Sequence, residues 1–182
     1  MIARTRQVIV LTHDDRLPEA VRRMGIPARM LEVSRKEGSV VAVLESSDPA
    51  HRALEDAFAL AKTTELPPVA AARVVPGLLR LAIEAACTDV VRRRRIGRGE
   101  PHAEVERLLS DNLKLTPRLS LVLFDDIDRA GDVPAAIEAR FGRSKREVYQ
   151  RANKGAHHGD AGDLLGLARN CEQFVDGLLA LS

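Results

Sequence analysis

Val75-Pro76-Gly77-Leu78-Leu79-Arg80-Leu81-Ala82-Ile83-Glu84-Ala85-Ala86-Cys87-Thr88-Asp89-Val90-Val91 decides the fold class of this 182-residue chain, because its apolar residues return every three or four positions. Leu78, Leu79, Ala82, Ile83, Ala86, Val90 and Val91 then share one face of a helix running from Val75 to about Arg95. Pro76 suits its first turn, where a missing N–H costs no hydrogen bond. Downstream the same period repeats. It predicts helices over Pro101 to Leu113 (Val105, Leu108, Leu109) and Thr116 to Arg129 (Leu119, Leu121, Val122, Phe124), a short one from Pro134, and another over 144–153. The last runs from Asp163 through Leu164, Leu167, Ala168, Cys171, Phe174, Val175 and Leu178. Residues 73–182 therefore read as an antiparallel α-helical bundle.

Upstream the pattern changes. Gln7-Val8-Ile9-Val10-Leu11 is a short β-branched run of the kind buried on both faces of a sheet. It ends in Thr12-His13-Asp14-Asp15. Leu17 to Met24 then reads as a helix, with Asp15 as its cap and Gly25 as its stop. Arg29 to Val33 and Ser39 to Leu44 form a hairpin around Lys36-Glu37-Gly38, where glycine can take the positive φ of a tight turn. A helix follows over 48–62, and Leu66-Pro67-Pro68-Val69 breaks it. The expected fold class is α+β: a short β-rich part of strand, helix and hairpin over residues 1–66, followed by the helical bundle over 73–182.

Composition narrows the function classes. A hydrophobic fraction of 45% supports a packed core. Residues 1–72 carry ten basic and ten acidic side chains, and residues 73–182 carry eighteen and sixteen, so neither part announces a polyanionic partner by bulk charge. Cys87 and Cys171 are the only cysteines and sit at apolar helical positions, as reduced buried thiols do. No apolar run approaches the roughly 20 residues that a membrane span needs, and no signal-peptide pattern opens the chain. The expectation is a cytoplasmic protein without a membrane partner.

Two constellations carry chemistry. In the first, Gln7 to Asp14 places a histidine at the end of an apolar strand. This resembles the switch loop of ABC-type ATPases such as SMC, RecF and related AAA-labelled proteins, and the helix and hairpin that follow are similar to the way those heads finish. The resemblance covers roughly residues 6–45. It implies that His13 would reach a γ-phosphate and help position the attacking water. The chain holds neither a G-x-x-x-x-G-K-[ST] phosphate loop nor an ABC signature loop. On this reading no nucleotide is hydrolysed by the chain alone, and ATP and Mg enter only when a partner ATPase-head chain completes the site. Leu121-Val122-Leu123-Phe124-Asp125-Asp126 imitates a magnesium-binding strand, but Leu119, Val122 and Leu123 fit a helical stripe. The implied role is in DNA repair or defence against foreign nucleic acid.

The second constellation is Arg151-Ala152-Asn153-Lys154-Gly155-Ala156-His157-His158. An arginine, five intervening residues and a histidine ahead of the last helix resemble the motif of HEPN domains. Many HEPN domains are metal-independent ribonucleases, and some are toxins of toxin–antitoxin pairs. The resemblance implies that His157 takes a 2′-hydroxyl proton, that Arg151 stabilises charge on the scissile phosphate, and that the site is assembled in a homodimer. Ala152 departs from the polar residue that commonly follows the arginine, and Asn153 comes one position later. The bland reading of Asn153, Gly155 and His157 is helix capping.

Arg92-Arg93-Arg94-Arg95 with Arg98 is the one dense basic run and a candidate contact for an RNA or DNA backbone, with Asn153 and Lys154 as further candidates. The alternative is a solvated helix end whose cations favour the helix dipole. His157, His158, Asp160 and Asp163 lack the spacing of a metal site, and none is expected. His51 and His102 read as ordinary surface histidines at helix starts.

Overall fold

The computed structural model describes residues 7–14, 16–24, 26–35, 37–45, 48–154 and 162–181. Among these described residues it is 71% helical with one small antiparallel sheet, an α+β architecture. The chain divides into two compact units, Met1–Ser46 and Ser47–Ser182.

In the first unit α1 spans Arg16–Arg23, and a hairpin pairs β1 (Leu31–Arg35) with β2 (Val41–Glu45). The register sets Leu31 opposite Glu45, Val33 opposite Val43 and Arg35 opposite Val41. Gly38 turns the hairpin at φ 69, the positive value that favours glycine. One face of this hairpin carries Leu31, Val33, Val41 and Val43, and all four are exposed. The expected strand over Gln7 to Leu11 needs correction: among the described residues this run joins no ladder. β-branched composition favours extended backbone, but a strand exists only when a neighbour accepts its hydrogen bonds. Asp15 and Gly25, expected to cap and stop α1, lie outside the described residues.

The second unit opens with α2 (Pro49–Lys62), capped by Asp48, whose Oδ1 accepts from the N–H groups of Ala50 and His51 at 2.9 and 3.1 Å. Ala50, Leu54 and Ala57 of α2 enter the same core as α3 and α8, so this helix belongs to the helical unit although the sequence grouped it with the N-terminal part. α3 spans Pro68–Gly97 and, at 30 residues, reaches about 45 Å. It starts seven residues before Val75, which corrects the reading of Pro76: that proline lies inside the helix. Pro68 at the first helical position opens the helix early. Burial of Ala71, Ala72, Val75 and Leu79 holds it through the one backbone bond that Pro76 cannot donate.

α4 (His102–Asp111), α5 (Leu115–Phe124), α6 (Val133–Phe141), α7 (Arg143–Lys154) and α8 (Leu164–Leu179) complete the unit. α3 is its axis and touches α2, α4, α5, α7 and α8. α5 stops at Phe124 rather than at Arg129, because Asp125 adopts the left-handed region at φ 56 and returns its N–H to the carbonyl of Leu121. Val75, Leu79, Ile83, Leu115, Leu119, Ile137, Phe174 and Leu178 fill the core, where Phe141 meets Phe174 edge to face at 5.3 Å. Cys87 and Cys171 are buried free thiols, and burial pushes both thiol pKa values up. Among the described residues no helix is long and apolar enough to cross a membrane.

Candidate functional site

The first candidate is the loop that follows Val8 to Leu11. Those four side chains are exposed by 58, 75, 61 and 91%. Thr12 Oγ1 accepts from the N–H of Asp14 at 3.0 Å, and Asp14 Oδ1 accepts from the N–H of Arg16 at 2.8 Å, so Asp14 caps α1. Its other oxygen accepts from Nε of Arg16 at 2.6 Å, and these hydrogen bonds hold the carboxyl below the ordinary carboxylate range. His13 stands between the two anchored residues, at a bend and exposed. A short segment pinned on both sides of an exposed imidazole is a workable mount for a ring that addresses a ligand from outside this unit.

The arginine run at the end of α3 is turned into the fold. Arg92 grips Glu106 of α4 with two bonds of 2.7 Å. Arg93 Nη2 donates to the Leu179 carbonyl at 2.8 Å, and its Nε lies 2.9 Å from Asp89. Arg94 donates to the carbonyls of Leu181 and Val122 at 2.8 and 2.6 Å, which ties down the C-terminal ends of α8 and α5. Arg95 bridges Glu100 and Asp125 at 3.0 and 2.7 Å, and Arg98 binds the other oxygen of Asp125. The carbonyls that close a helix carry partial negative charge, so guanidinium groups satisfy both their hydrogen bonds and their dipole.

Arg151 occupies the last turn of α7 and is half-buried, while Ala152 beside it is 1% exposed and packs in the core. The position that directly follows the arginine thus offers no polar group to a substrate. Asn153 and Lys154 are exposed; His157, His158 and Asp160 lie outside the described residues. Asp163 caps α8 by accepting from the N–H of Gly166 at 2.7 Å. A Cβ on Gly166 would meet Oδ2 of Asp163 at 2.2 Å, so the cap depends on glycine there. Among the described residues no group of three His, Cys, Asp or Glu side chains is arranged to hold a metal ion.

Sequence reasoning missed a third cluster. Nδ1 of His51 lies 2.6 Å from Oδ2 of Asp48, and Nε2 lies 3.1 Å from Oδ1 of Asp176 on α8. The three-residue spacing of Asp48 and His51 at a helix start was the available signal. Asp176 is 125 positions away and left none. Beyond this cluster, an open groove of about 490 Å³ between α2 and α8 is lined by Glu55, Phe58, Ala59, Lys62 and Glu172. None of the sequence-derived candidates lines it.

The chain matches no protein-family model, and neither the curated proteins nor the solved structures give a match to it.

Proposed function

We propose that the chain is an ATPase-associated protein: the C-terminal part of a SMC/RecF-like ATP-binding head, carrying His13 as its γ-phosphate switch residue, joined to a helical accessory domain. The observation that supports this is the exposure of Val8, Ile9, Val10 and Leu11 directly ahead of the Thr12-His13-Asp14 turn. Four consecutive large apolar side chains leave water on both faces of an extended segment only inside a covered sheet. The uncovered face of the β1–β2 hairpin makes the same demand, since a two-stranded ribbon is marginal by itself. A head completed by another polypeptide would meet both demands and bring its phosphate loop to His13. The chain alone would then bind and hydrolyse no ATP, and the cellular role would be DNA repair or defence.

The test is to isolate the tagged chain with its natural assembly and measure ATP turnover beside His13→Ala. Hydrolysis by the wild-type assembly, lowered on the order of 10²-fold in the variant with nucleotide still bound, is the expected result. An assembly without ATPase activity, or one indifferent to the substitution, would end this reading.

A second reading rests on the place of Arg151 at the end of α7, shortly ahead of α8. It is a metal-independent endoribonuclease in which Arg151 and His157 act together. Cleavage of mixed RNA by the purified chain in chelator, abolished by both Arg151→Ala and His157→Ala, would establish it; intact RNA would dismiss it.

A further inference from the structure

We infer that the solvent face of α7 is a contact surface for the phosphate backbone of double-stranded DNA. Val148, Tyr149 and Ala152 pack inward and thereby set which residues of this helix face water. Arg143, Gln150 and Lys154 follow one another at seven and four positions and share the outward face, with Arg146 and the half-buried Arg151 on its flanks. From Arg143 to Lys154 this face extends about 16 Å along the helix. Residues 138–154 carry six of the chain's 28 Lys and Arg against two of its 26 Asp and Glu.

The cations also stand where a helix does not favour them. Arg143, Lys145 and Arg146 occupy the first turn of α7, at the positive end of the dipole, and no acidic side chain accompanies them in that turn. Glu147 lies 3.3 Å from Arg143, Glu138 pairs with Arg146, and Lys145 donates to Gln173 of α8 at 2.6 Å. Two carboxylates against Arg143, Lys145, Arg146 and Lys154 leave a positive surface that an anion relieves. The arginines at the end of α3 offer no comparable surface, because they bind carbonyls and carboxylates of their own fold.

The face has no apolar side chain to enter a lipid surface and no aromatic ring on which an unpaired base would stack. Those two absences disfavour a membrane and a single strand. The major groove of B-form DNA admits an α-helix between two rows of phosphates, whereas the deep, narrow groove of A-form RNA does not. Backbone contact by arginine and lysine requires no particular base sequence. The inference is independent of the ATPase-head reading, because it concerns the second unit alone.

The test is fluorescence polarisation of a labelled DNA duplex of about 20 base pairs with the full chain, in salt from about 50 to 200 mM. Arg143→Gln/Lys154→Gln is compared with Arg107→Gln on the exposed side of α4, and circular dichroism confirms that both variants fold. Expected are salt-sensitive binding by the wild type, a loss on the order of 10-fold in the double variant, a salt slope lower by about two, and wild-type behaviour of Arg107→Gln. Absence of duplex binding at the lowest salt would overturn the proposal. So would equal affinity of the double variant, an equal loss in Arg107→Gln, or tighter binding of single-stranded or duplex RNA of the same length.

Discussion

Nε2 of His51 lies 3.1 Å from Oδ1 of Asp176, and this contact joins the first helix of the second unit to its last. The opposite ring nitrogen faces Asp48 at 2.6 Å, so both nitrogens meet carboxylate oxygens and only the imidazolium donates to both. Burial alone would push the ring's pKa down; the hydrogen bond and charge of Asp48, then those of Asp176, outweigh it and raise the value above 6.5. Asp89 also feels the negative charge of Asp48, and Arg93 pairs with Asp89, so the cluster couples α2, α3 and α8.

A raised folded pKa means that the folded state holds its proton more tightly than the unfolded chain. The stabilisation is fully present below the unfolded value near 6.5 and disappears as pH rises through the folded value. His51→Gln should therefore lower the urea midpoint at mildly acidic pH by the equivalent of about 0.5–1 kcal/mol, a modest figure because the pair is partly solvated. Near pH 9 the two proteins should unfold together. A difference that is constant with pH would rule the charged bridge out.

Arg94 holds the C-terminal ends of α5 and α8 through one planar group. Arg94→Met should destabilise the second unit by about 1.5–3 kcal/mol in chemical denaturation, because it leaves half-buried carbonyls without donors. Arg94→Lys should recover little, since a single ammonium cannot span both helix ends. Full recovery by lysine would show that charge, not the fork, matters there.

Asp125 combines a left-handed backbone with ion pairs to Arg95 and Arg98. Burial would raise its pKa, yet the hydrogen bond from Arg98 and the charge of Arg95 hold it below the ordinary carboxylate value, so its contribution is present above the unfolded pKa and fades as pH falls through the folded one. Asp125→Asn keeps a residue that tolerates positive φ and should cost about 0.5–1 kcal/mol. Asp125→Val adds backbone strain and should cost about 1–2 kcal/mol more. Thermal melts of the two variants that coincide would remove strain from the account.

Residues 7–11 have no ladder among the described residues and the hairpin face is uncovered, whereas α3 and α8 are packed through their length. Hydrogen exchange on the chain alone should therefore leave the amides of 7–11 near the unstructured rate, with those of α3 and α8 slower by roughly 10³-fold or more. Protection of 7–11 equal to that of α8 would remove the observation on which the ATPase-head proposal stands.

Much of the helical unit was legible because amphipathic periodicity is written within a turn or two. Leu164, Leu167, Ala168, Cys171, Phe174, Val175 and Leu178 predict α8 nearly to its observed ends. Glycine at the hairpin turn was equally legible, since Gly38 answers a local steric requirement. Pro76 was misread because proline is commonest at helix starts, and only the burial of Ala71, Ala72 and Val75 ahead of it shows the helix continuing. The arginine run looked like a surface patch because three of the groups that occupy it, the carbonyls of Leu179, Leu181 and Val122, carry no side-chain signature.

By itself the sequence determined the α+β class, the helices and their inward faces, the hairpin turn, and the position of Arg151 near the end of its helix. Those features follow from steric and hydrophobic relations among residues close along the chain, where period and turn chemistry suffice. Tertiary structure decided that α2 joins the second unit, that Arg92 to Arg95 face inward, that His51 bridges to Asp176, and that Val8 to Leu11 remain unpaired among the described residues. Each of these depends on which distant groups packing brings within hydrogen-bond reach, and separations of up to 125 residues leave no trace in local pattern.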